Sequence, residues 1–201
     1  MNFRKEIKFR VSINEYHKFK SFLMFRGMKK LYDSRNVNSI YFDTKILDMF
    51  HNSEEGILPR KKIRIRWYNN SKQFFLETKI SSIEGRFKKI SHLKELKNSD
   101  DASLYIPFDI NLGFLNSTLL VSYQRSYFKL DNMRITFDQY INYKHLIKTN
   151  RYYKDPERVI EIKAPIGMSD NYIETLVPYS TSRFSKYSRG ILMTESAILD
   201  I

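Results

Sequence analysis

FRKEIKFRV, residues 3–11, alternates between apolar and charged side chains along most of its length. One parity is mostly apolar, with Phe3, Ile7, Phe9 and Val11, and the other parity carries a charge at every position. Successive side chains of a β-strand point to opposite faces of the sheet. The stretch therefore predicts a strand with one face against a core and one charged face.

The same alternation predicts four further strands, at residues 63–67, 74–79, 133–138 and 160–164. Residues 39–43 and 119–129 also have the composition of strands. Helical spacing predicts three helices: from Ser12 to Gly27, from Ser169 to about Val177, and from Ser185 to Met193. The first of these starts with a capping-box pattern, in which Ser12 precedes Glu15 by three positions. Together the segments predict an α+β fold with an antiparallel sheet of seven or more strands.

Composition narrows the class of protein. The chain has 201 residues, of which 42% are hydrophobic, and sparse Gly and Pro predict a single domain over residues 1–201. A formal charge of +13 favours polyanionic partners, namely nucleic acid, an anionic membrane surface or phosphorylated molecules. The absence of Cys excludes disulfides and thiol chemistry. No run of 18 apolar residues occurs, so we expect a cytoplasmic protein without a membrane span.

The charged faces allow two interpretations. An antiparallel sheet commonly has one face in water, which is the simpler account. The residue types favour a binding site instead, because these faces pair carboxylates with Lys or Arg at spacing two and nearly lack Ser, Thr, Asn and Gln. If the sheet closed on itself, these charges would line one lumen with a positive surplus.

A positively charged lumen suits a linear triphosphate, which needs cations along its length. The planar fork of Arg binds two phosphate oxygens at once, whereas Lys acts as a point charge. The candidate cations are Lys8, Arg64, Arg66, Lys79, Arg125, Arg134, Lys163 and Lys186. The carboxylates on the same faces could hold Mg²⁺ or Mn²⁺, which prefer oxygen ligands; they are Glu6, Glu77, Asp138 and Glu161. A single Glu–Lys pair would more simply be a cross-strand salt bridge, but the repeats on several strands favour a site.

Other chemistries lack their sequence patterns. The chain contains no phosphate loop, no dinucleotide fingerprint, no HExxH metal motif and no nucleophile elbow. Basic runs interleave with aromatic residues, as in some RNA-binding sheets. Carboxylates on the same faces would repel a nucleic-acid backbone, so we expect no nucleic-acid partner.

Eight short motifs occur in an order that resembles the VTC domain of polyphosphate polymerases, a member of the CYTH-like triphosphate tunnel metalloenzymes. They are ExK at 6–8, SIYFDT at 39–44, KIRIRWY at 62–68, LETK at 76–79, YQRSY at 123–127, RITFD at 134–138, VIEIK at 159–163 and FSKYSRG at 184–190. The resemblance extends over nearly the whole chain.

The resemblance implies an eight-stranded antiparallel β-barrel, the triphosphate tunnel, with helices packed outside. It assigns phosphate binding to Lys8, Arg64, Arg66, Lys79, Lys88, Arg125, Arg134, Lys163 and Lys186. It makes Glu161 the principal ligand of Mn²⁺ or Mg²⁺, with Glu6, Glu77 and Asp138 as accessory acidic groups. Catalysis would rest on Arg64 and Arg66, with Glu6 able to orient a water.

The resemblance also implies a metal-dependent phosphotransferase, which moves the γ-phosphate of ATP onto a growing polyphosphate chain. A tunnel triphosphatase that hydrolyses inorganic or nucleoside triphosphate is the first alternative. A non-catalytic module that binds polyphosphate is the second. The expected ligands are ATP, triphosphate and polyphosphate, and any translocation would need a membrane-associated partner protein.

Overall fold

The structure, a computed structural model, describes residues 4–149, 151–176 and 181–199. Within these ranges the chain forms five helices and eleven strands. The helices are α1 Ile13–Phe25, α2 Asp48–Glu55, α3 Ser99–Leu104, α4 Asp170–Leu176 and α5 Lys186–Leu199. The strands are β1 Arg4–Val11, β2 Lys29–Asp43, β3 Arg60–Tyr68, β4 Phe74–Ser82, β5 Gly85–Leu93, β6 Phe108–Asp109, β7 Gly113–Phe114, β8 Asn116–Leu130, β9 Met133–His145, β10 Tyr153–Lys154 and β11 Arg158–Pro165.

The main sheet follows one path of eight strands, in the order β1-β11-β9-β8-β2-β3-β4-β5. Strand β10 pairs with β9 beside this path, and β6 and β7 form a separate two-stranded sheet. Antiparallel pairing joins β1 to β11, β11 to β9, and β2 through β5 in succession. The predicted α+β class and eight-stranded antiparallel architecture are confirmed.

Local sequence signals explain where α1 begins and ends. Ser12 Oγ accepts a hydrogen bond from the backbone N–H of Glu15, and Glu15 Oε2 accepts one from the N–H of Ser12, so the predicted capping box is present. At the other end Gly27 adopts a φ of 94°, and the N–H of Met28 donates to the carbonyl of Leu23. This left-handed turn satisfies the last carbonyls of the helix.

Helix α2 was missed in the sequence because its cap comes from a residue several positions upstream. The carboxylate of Asp43 accepts hydrogen bonds from the backbone N–H groups of Met49 and Phe50, at 2.9 and 3.0 Å. Thr44 Oγ1 accepts another from the N–H of Asp48. Asp43 and Thr44 close the SIYFDT motif, so this motif starts a helix as well as ending a strand.

Residues 1–36, 123–141 and 154–184 form one compact unit, unit 1. Its core packs the apolar faces of β1, β9 and β11 against α1 and α4. Phe9, Phe137 and Ile162 come from the strands, and Tyr16 and Phe19 come from α1. All five side chains are at least 98% buried, so the apolar parity predicted for these strands faces a core.

Residues 37–122, 142–153 and 185–201 form a second compact unit, unit 2. One of its clusters of buried residues contains Ile63, Ile65 and Trp67 of β3, with Ile40 of β2 and Phe74 of β4. The apolar parity of KIRIRWY therefore packs in this core. The prediction of a single domain stays a prediction.

The predicted strands correspond to β1, β2, β3, β4, β8, β9 and β11, and the three predicted helices correspond to α1, α4 and α5. Phe3, at the predicted start of the first strand, lies outside the described residues. Val177, at the predicted end of the second helix, lies outside the described residues. Strand β5 was missed because most of its residues are exposed on both faces, so alternation of polarity is absent. In the described ranges, no helix is long and apolar enough to cross a membrane.

Gly190 of α5 allows the helix to approach the sheet of unit 2 closely. A Cβ atom at this position would lie 2.5 Å from Leu119 Cδ2 and 2.6 Å from Tyr143 Cδ1. Leu119 and Tyr143 are fully buried, so neither side chain has space to move aside. The Gly that closes the FSKYSRG motif is thus a packing requirement.

We expect Gly190→Ala to lower the free energy of unfolding by about 1–3 kcal/mol, the usual cost of overpacking a core. Helix propensity alone predicts the opposite sign, since Ala in a helix is more stable than Gly. Urea denaturation of the purified protein measures the change. Gly167→Ala is the control, because nothing lies within 4 Å of a Cβ at that position. Equal stability of the two variants would contradict the close approach.

Candidate active site

The charged faces of the strands carry two groups of ionisable side chains, one in each unit. In unit 1, cross-strand pairs place Lys8 opposite Glu161 and Glu6 opposite Lys163 on β1 and β11. On the other side of β11, Glu161 lies opposite Thr136 and Lys163 lies opposite Arg134. Side chains of directly opposed residues share one face of the sheet. We call these six residues the Glu161 cluster: Glu6, Lys8, Arg134, Thr136, Glu161 and Lys163.

Ion pairs connect the carboxylates and ammonium groups of the Glu161 cluster. Glu6 lies 3.0 Å from Lys8 Nζ and 3.5 Å from Lys163 Nζ, and Lys163 Nζ lies 3.2 Å from Glu161 Oε1. Burial and the nearby charge of Glu161 raise the pKa of Glu6, but Lys8 and Lys163 outweigh them and bring that pKa below its usual value. Glu6 is therefore ionised at neutral pH.

Two polar atoms of this cluster have no hydrogen-bond partner among the described residues: Arg134 Nε and Thr136 Oγ1. Both are buried atoms, and Thr136 as a whole is only 2% exposed. A buried polar group without a partner costs free energy, so such atoms in a native structure call for an explanation. A bound oxyanion or water would supply a partner for both atoms, whereas a metal ion could bind Thr136 Oγ1 but not the N–H of Arg134.

Arg125 and Asp138 lie beside this cluster. Arg125 Nε and Nη2 donate to the two carboxylate oxygens of Asp138 at 2.6 and 2.7 Å. Burial would lower the pKa of Arg125, but Asp138 and the nearby Tyr123 and Glu161 raise it well above its usual value. Asp138 is fully buried, and its geometry is that of an anchor for Arg125. Its predicted role as a metal ligand stays a prediction.

In unit 2 the charged face belongs to β2, β3, β4 and β5. Arg64 lies opposite Tyr41 on one side and Glu77 on the other, and Lys79 lies opposite both Lys62 and Lys88. Arg66 follows on the same face of β3, opposite Ser39. We call the charged residues among these the Arg64 cluster: Lys62, Arg64, Arg66, Glu77, Lys79 and Lys88. It holds five cations and one carboxylate.

Glu77 is the centre of the Arg64 cluster. Its Oε2 accepts hydrogen bonds from Arg64 Nε and Nη2 at 2.7 and 2.5 Å, and its Oε1 accepts one from Lys88 Nζ at 2.6 Å. Arg66 Nη1 lies 3.9 Å from the same carboxylate. Burial alone would raise the pKa of Glu77, but Arg64, Arg66 and Lys88 lower it to about 2.

Arg64 and Arg66 are only 8% and 7% exposed, and neutral side chains also hold them. Arg64 Nη1 donates to the hydroxyl of Tyr41 at 2.8 Å, and Arg66 Nε donates to Ser39 Oγ at 3.0 Å. The ring of Tyr41 stacks on that of Tyr187 with centroids 5.0 Å apart. The guanidinium groups are therefore fixed before any ligand binds.

Ser185, directly before α5, and the first residues of α5 make further contacts in unit 2. Lys62 Nζ donates to Ser185 Oγ at 2.7 Å, and this oxygen also accepts the N–H of Ser188. The hydroxyl of Tyr187 donates to Asp43 Oδ2 at 2.5 Å. Lys186, a predicted phosphate ligand, is the first residue of α5 and is half-buried.

The structure thus distributes the predicted site residues between the units. Unit 1 contains Lys8, Arg125, Arg134 and Lys163 with Glu6, Asp138 and Glu161, and unit 2 contains Arg64, Arg66, Lys79, Lys88 and Lys186 with Glu77. Glu6 and Glu161 are brought together, whereas both oxygens of Glu77 already bind cations. All of these roles stay predictions.

Four residues of unit 2 were missed in the sequence: Ser39, Tyr41, Lys62 and Ser185. For three of them, the alternation of polarity along the strands could have predicted that they lie on the charged face. Lys62 has the parity of Arg64 and Arg66, and Ser39 and Tyr41 share one parity within SIYFDT. No comparable signal existed for Ser185, because its contact with Lys62 joins residues 123 positions apart.

The VTC domain family model matches residues 3–101 and 83–194 of the sequence. The chain belongs to the VTC domain family. The resemblance found in the eight motifs is confirmed, and the fold is that of the CYTH-like triphosphate tunnel proteins. A comparison with curated proteins finds no match.

Solved structures share the fold of this VTC domain at low sequence identity. The PH1012 protein from Pyrococcus horikoshii OT3 superposes with a TM-score of 0.58 at 14% identity, covering 92% of this chain and 98% of that chain. A candidate adenylate cyclase from Bacillus halodurans has a TM-score of 0.57 at 16% identity, covering 90% and 95%. HpAC1 from Hippeastrum, a candidate adenylyl cyclase with a dominant triphosphatase activity, has a TM-score of 0.56 at 13% identity, covering 96% of each chain.

We expect Glu77→Gln to lower the free energy of unfolding by about 3 kcal/mol at neutral pH, because Arg64 and Arg66 lose a buried counter-charge. The pKa of Glu77 in the folded protein lies below the ordinary Glu value of 4.5, so the stabilisation that Glu77 provides is complete above that value and disappears as the pH falls through about 2. The difference between wild type and variant should therefore shrink as the pH falls below 4.5.

Urea titrations over a series of pH values measure this difference. Glu54→Gln, which removes an exposed carboxylate of α2 in the same unit, is the control and should leave stability within about 0.5 kcal/mol. If the difference in free energy of unfolding between wild type and Glu77→Gln stayed constant down to acid pH, the lowered pKa of Glu77 would be contradicted.

Proposed function

We propose that this VTC domain is a metal-dependent phosphotransferase that moves the γ-phosphate of ATP onto a polyphosphate chain. The observation that carries the proposal is the Glu161 cluster. It combines two neighbouring carboxylates with ordered ammonium groups and with Arg134 Nε and Thr136 Oγ1, which lack partners among the described residues. Membership of the VTC domain family supports it.

The residues of the Glu161 cluster fit a hard divalent cation. Glu6 and Glu161 supply carboxylate oxygens, and Thr136 Oγ1 is a buried oxygen without a hydrogen bond among the described residues. The described part of the chain has no group of three or more His, Cys, Asp or Glu side chains that could hold an ion alone. Mg²⁺ is commonly bound by one or two carboxylates with substrate phosphates and water, and Mn²⁺ also accepts oxygen ligands. Glu161 and Glu6 would hold the ion.

When bound, such an ion would offset negative charge on the phosphate oxygens. The cations of the chain do the rest of the electrostatic work. The transition state of phosphoryl transfer is largely loose, so catalysis depends on positioning the chain and neutralising charge on the transferring group. Within unit 1, Lys8, Lys163 and Arg134 of the Glu161 cluster suit this role. In unit 2, hydrogen bonds to Glu77 and Ser39 hold Arg64 and Arg66 in place as cations ready to bind phosphate.

The attacking group distinguishes a polymerase from a triphosphatase. The terminal phosphate of a polyphosphate chain is already ionised at neutral pH, so its attack needs no general base. Hydrolysis needs an oriented water, and one observation favours this second function. Glu6 stays ionised and is held by Lys8 and Lys163, so its carboxylate could accept a hydrogen bond from such a water.

Incubation with ATP and either Mn²⁺ or Mg²⁺ tests the proposal, with products resolved as polyphosphate, free phosphate and cyclic AMP. We expect a ladder of polyphosphate that requires the metal, and loss of the ladder by at least about a hundredfold in Glu161→Gln. Glu174→Gln, an exposed position of α4 in the same unit, is the control and should retain activity. Free phosphate alone would favour the triphosphatase, and cyclic AMP would contradict both functions.

A second measurement tests binding without turnover. We expect Arg134→Gln to weaken binding of inorganic triphosphate by about tenfold, since one charge-assisted contact is worth about 1.5 kcal/mol. Lys129→Gln, an exposed position of β8, removes the same charge away from the cluster. Isothermal titration calorimetry without metal compares the two variants. Equal affinities would mean that Arg134 does not contact phosphate, and both variants should unfold at the wild-type urea concentration.

A further inference from the structure

The end of α1 presents apolar side chains to solvent. Phe25 is 89% exposed, Met24 is 48% exposed and Phe22 is 40% exposed. The core of unit 1 does not use them, because α1 packs against it through Tyr16, Phe19 and Leu23. Positions two apart in a helix differ by about 200° in direction, so Phe25 projects away from the face that contains Leu23.

The turn after α1 holds these side chains in a fixed place. The N–H of Met28 donates to the carbonyl of Leu23 at 2.9 Å, and the N–H of Gly27 donates to the carbonyl of Met24 at 3.0 Å. Met28 then returns to the core, where it is 2% exposed. Phe25 and Arg26 therefore lie at a rigid corner rather than in a loose loop.

Cations are frequent in the sequence on both sides of this corner. Residues 16–32 contain five Lys or Arg and no Asp or Glu, and all five cations are at least partly exposed: Lys18, Lys20, Arg26, Lys29 and Lys30. Arg26 extends over the ring of Phe22 at 5.6 Å, and Lys30 pairs with Asp33 at 2.6 Å. We call these cations, together with Phe22, Met24 and Phe25, the Phe25 surface.

We propose that the Phe25 surface docks unit 1 onto an anionic lipid bilayer. Exposed Phe and Met side chains gain free energy when they enter the boundary between headgroups and acyl chains, and nearby Lys and Arg are attracted to anionic headgroups. Polyphosphate would use only the cations and would leave Phe25 and Met24 in water. The combination of both features on one rigid corner thus favours lipid over a soluble polyanion.

A second exposed apolar segment allows the contribution of the cations to be separated from that of apolar exposure. Ile106, Phe108 and Ile110 of unit 2 are 65%, 64% and 85% exposed. Residues 98–124 contain three Asp and no Lys or Arg, and one of these carboxylates, Asp109, is buried and paired with Lys61 at 2.8 Å. This segment matches the Phe25 surface in apolar exposure but lacks its cluster of cations, so it provides an internal control.

Co-sedimentation with vesicles tests the docking, using phosphatidylcholine alone and phosphatidylcholine mixed with phosphatidylserine. We expect wild type to bind the mixed vesicles and to bind the neutral ones at least about tenfold more weakly. Phe25→Ser should reduce binding to mixed vesicles by about tenfold through loss of apolar burial. The double variant Lys29→Glu with Lys30→Glu should reduce it at least as much.

Ile110→Ser is the matched control, because it removes an equally exposed apolar side chain from this second segment; its vesicle binding should equal that of wild type. Each variant is checked by urea denaturation, where exposed positions should leave stability unchanged. Three outcomes would overturn the proposal: no binding to mixed vesicles, equal loss in Ile110→Ser and Phe25→Ser, or binding that Phe25→Ser does not change. A single-stranded poly(U) probe that loses as much affinity in Phe25→Ser would also overturn it, in favour of RNA.

Discussion

The charged faces of β1, β3, β9 and β11 are held in place because the opposite faces of these strands pack against a core, and most of the candidate site depends on this constraint. In unit 1, Ile162 and Phe137 pack under α1 while their neighbours Glu161 and Asp138 point the other way. In unit 2, Ile63 and Ile65 are buried while Arg64 and Arg66 occupy the opposite face. Shifting a strand by one residue would reverse both faces, so the hydrophobic pattern also fixes which cations are displayed.

Burial of the arginines has a second consequence, which concerns their counter-charges. A largely buried guanidinium group is stable only beside a carboxylate or other good acceptors. Glu77 and Asp138 serve this purpose for Arg64 and Arg125. Such carboxylates hold the cations in place before the ligand arrives, which reduces the cost of ordering them on binding. A carboxylate on a charged face is therefore as easily a support for a cation as a ligand for a metal.

Much of the fold was predictable from the sequence because period-two alternation is a direct record of a half-buried strand. It identified β1, β3, β4, β9 and β11, and the capping box identified α1. Strand β5 and helix α2 were not predictable in this way. Strand β5 has water on both faces, and α2 takes its cap from Asp43, which also ends β2. Both depend on contacts that a local pattern does not record.

The site was predictable to the extent that parity decides which side chains share a face. Parity and the motifs placed Glu6, Lys8, Glu161 and Lys163 on one face of β1 and β11, where the structure joins them by ion pairs. Parity could not predict that both carboxylate oxygens of Glu77 accept hydrogen bonds from cations, since those contacts depend on the length and rotamer of Lys88 and Arg64. It also gave no hint of Ser185, whose contact with Lys62 depends on how α5 packs.

The pairing of β1 with β11 has a consequence for how the protein is made. Lys8 lies opposite Glu161, so β1 can pair with β11 only after the long segment between the two strands has left the ribosome. Pairings between residues so distant in sequence form slowly, because a long loop must close before the contact is gained. Until then the apolar side of β1 has no sheet to join, and a nascent chain exposes a ready edge for aggregation. Residues 4–10 include four cations and one carboxylate, and these charges oppose aggregation of the strand before it pairs.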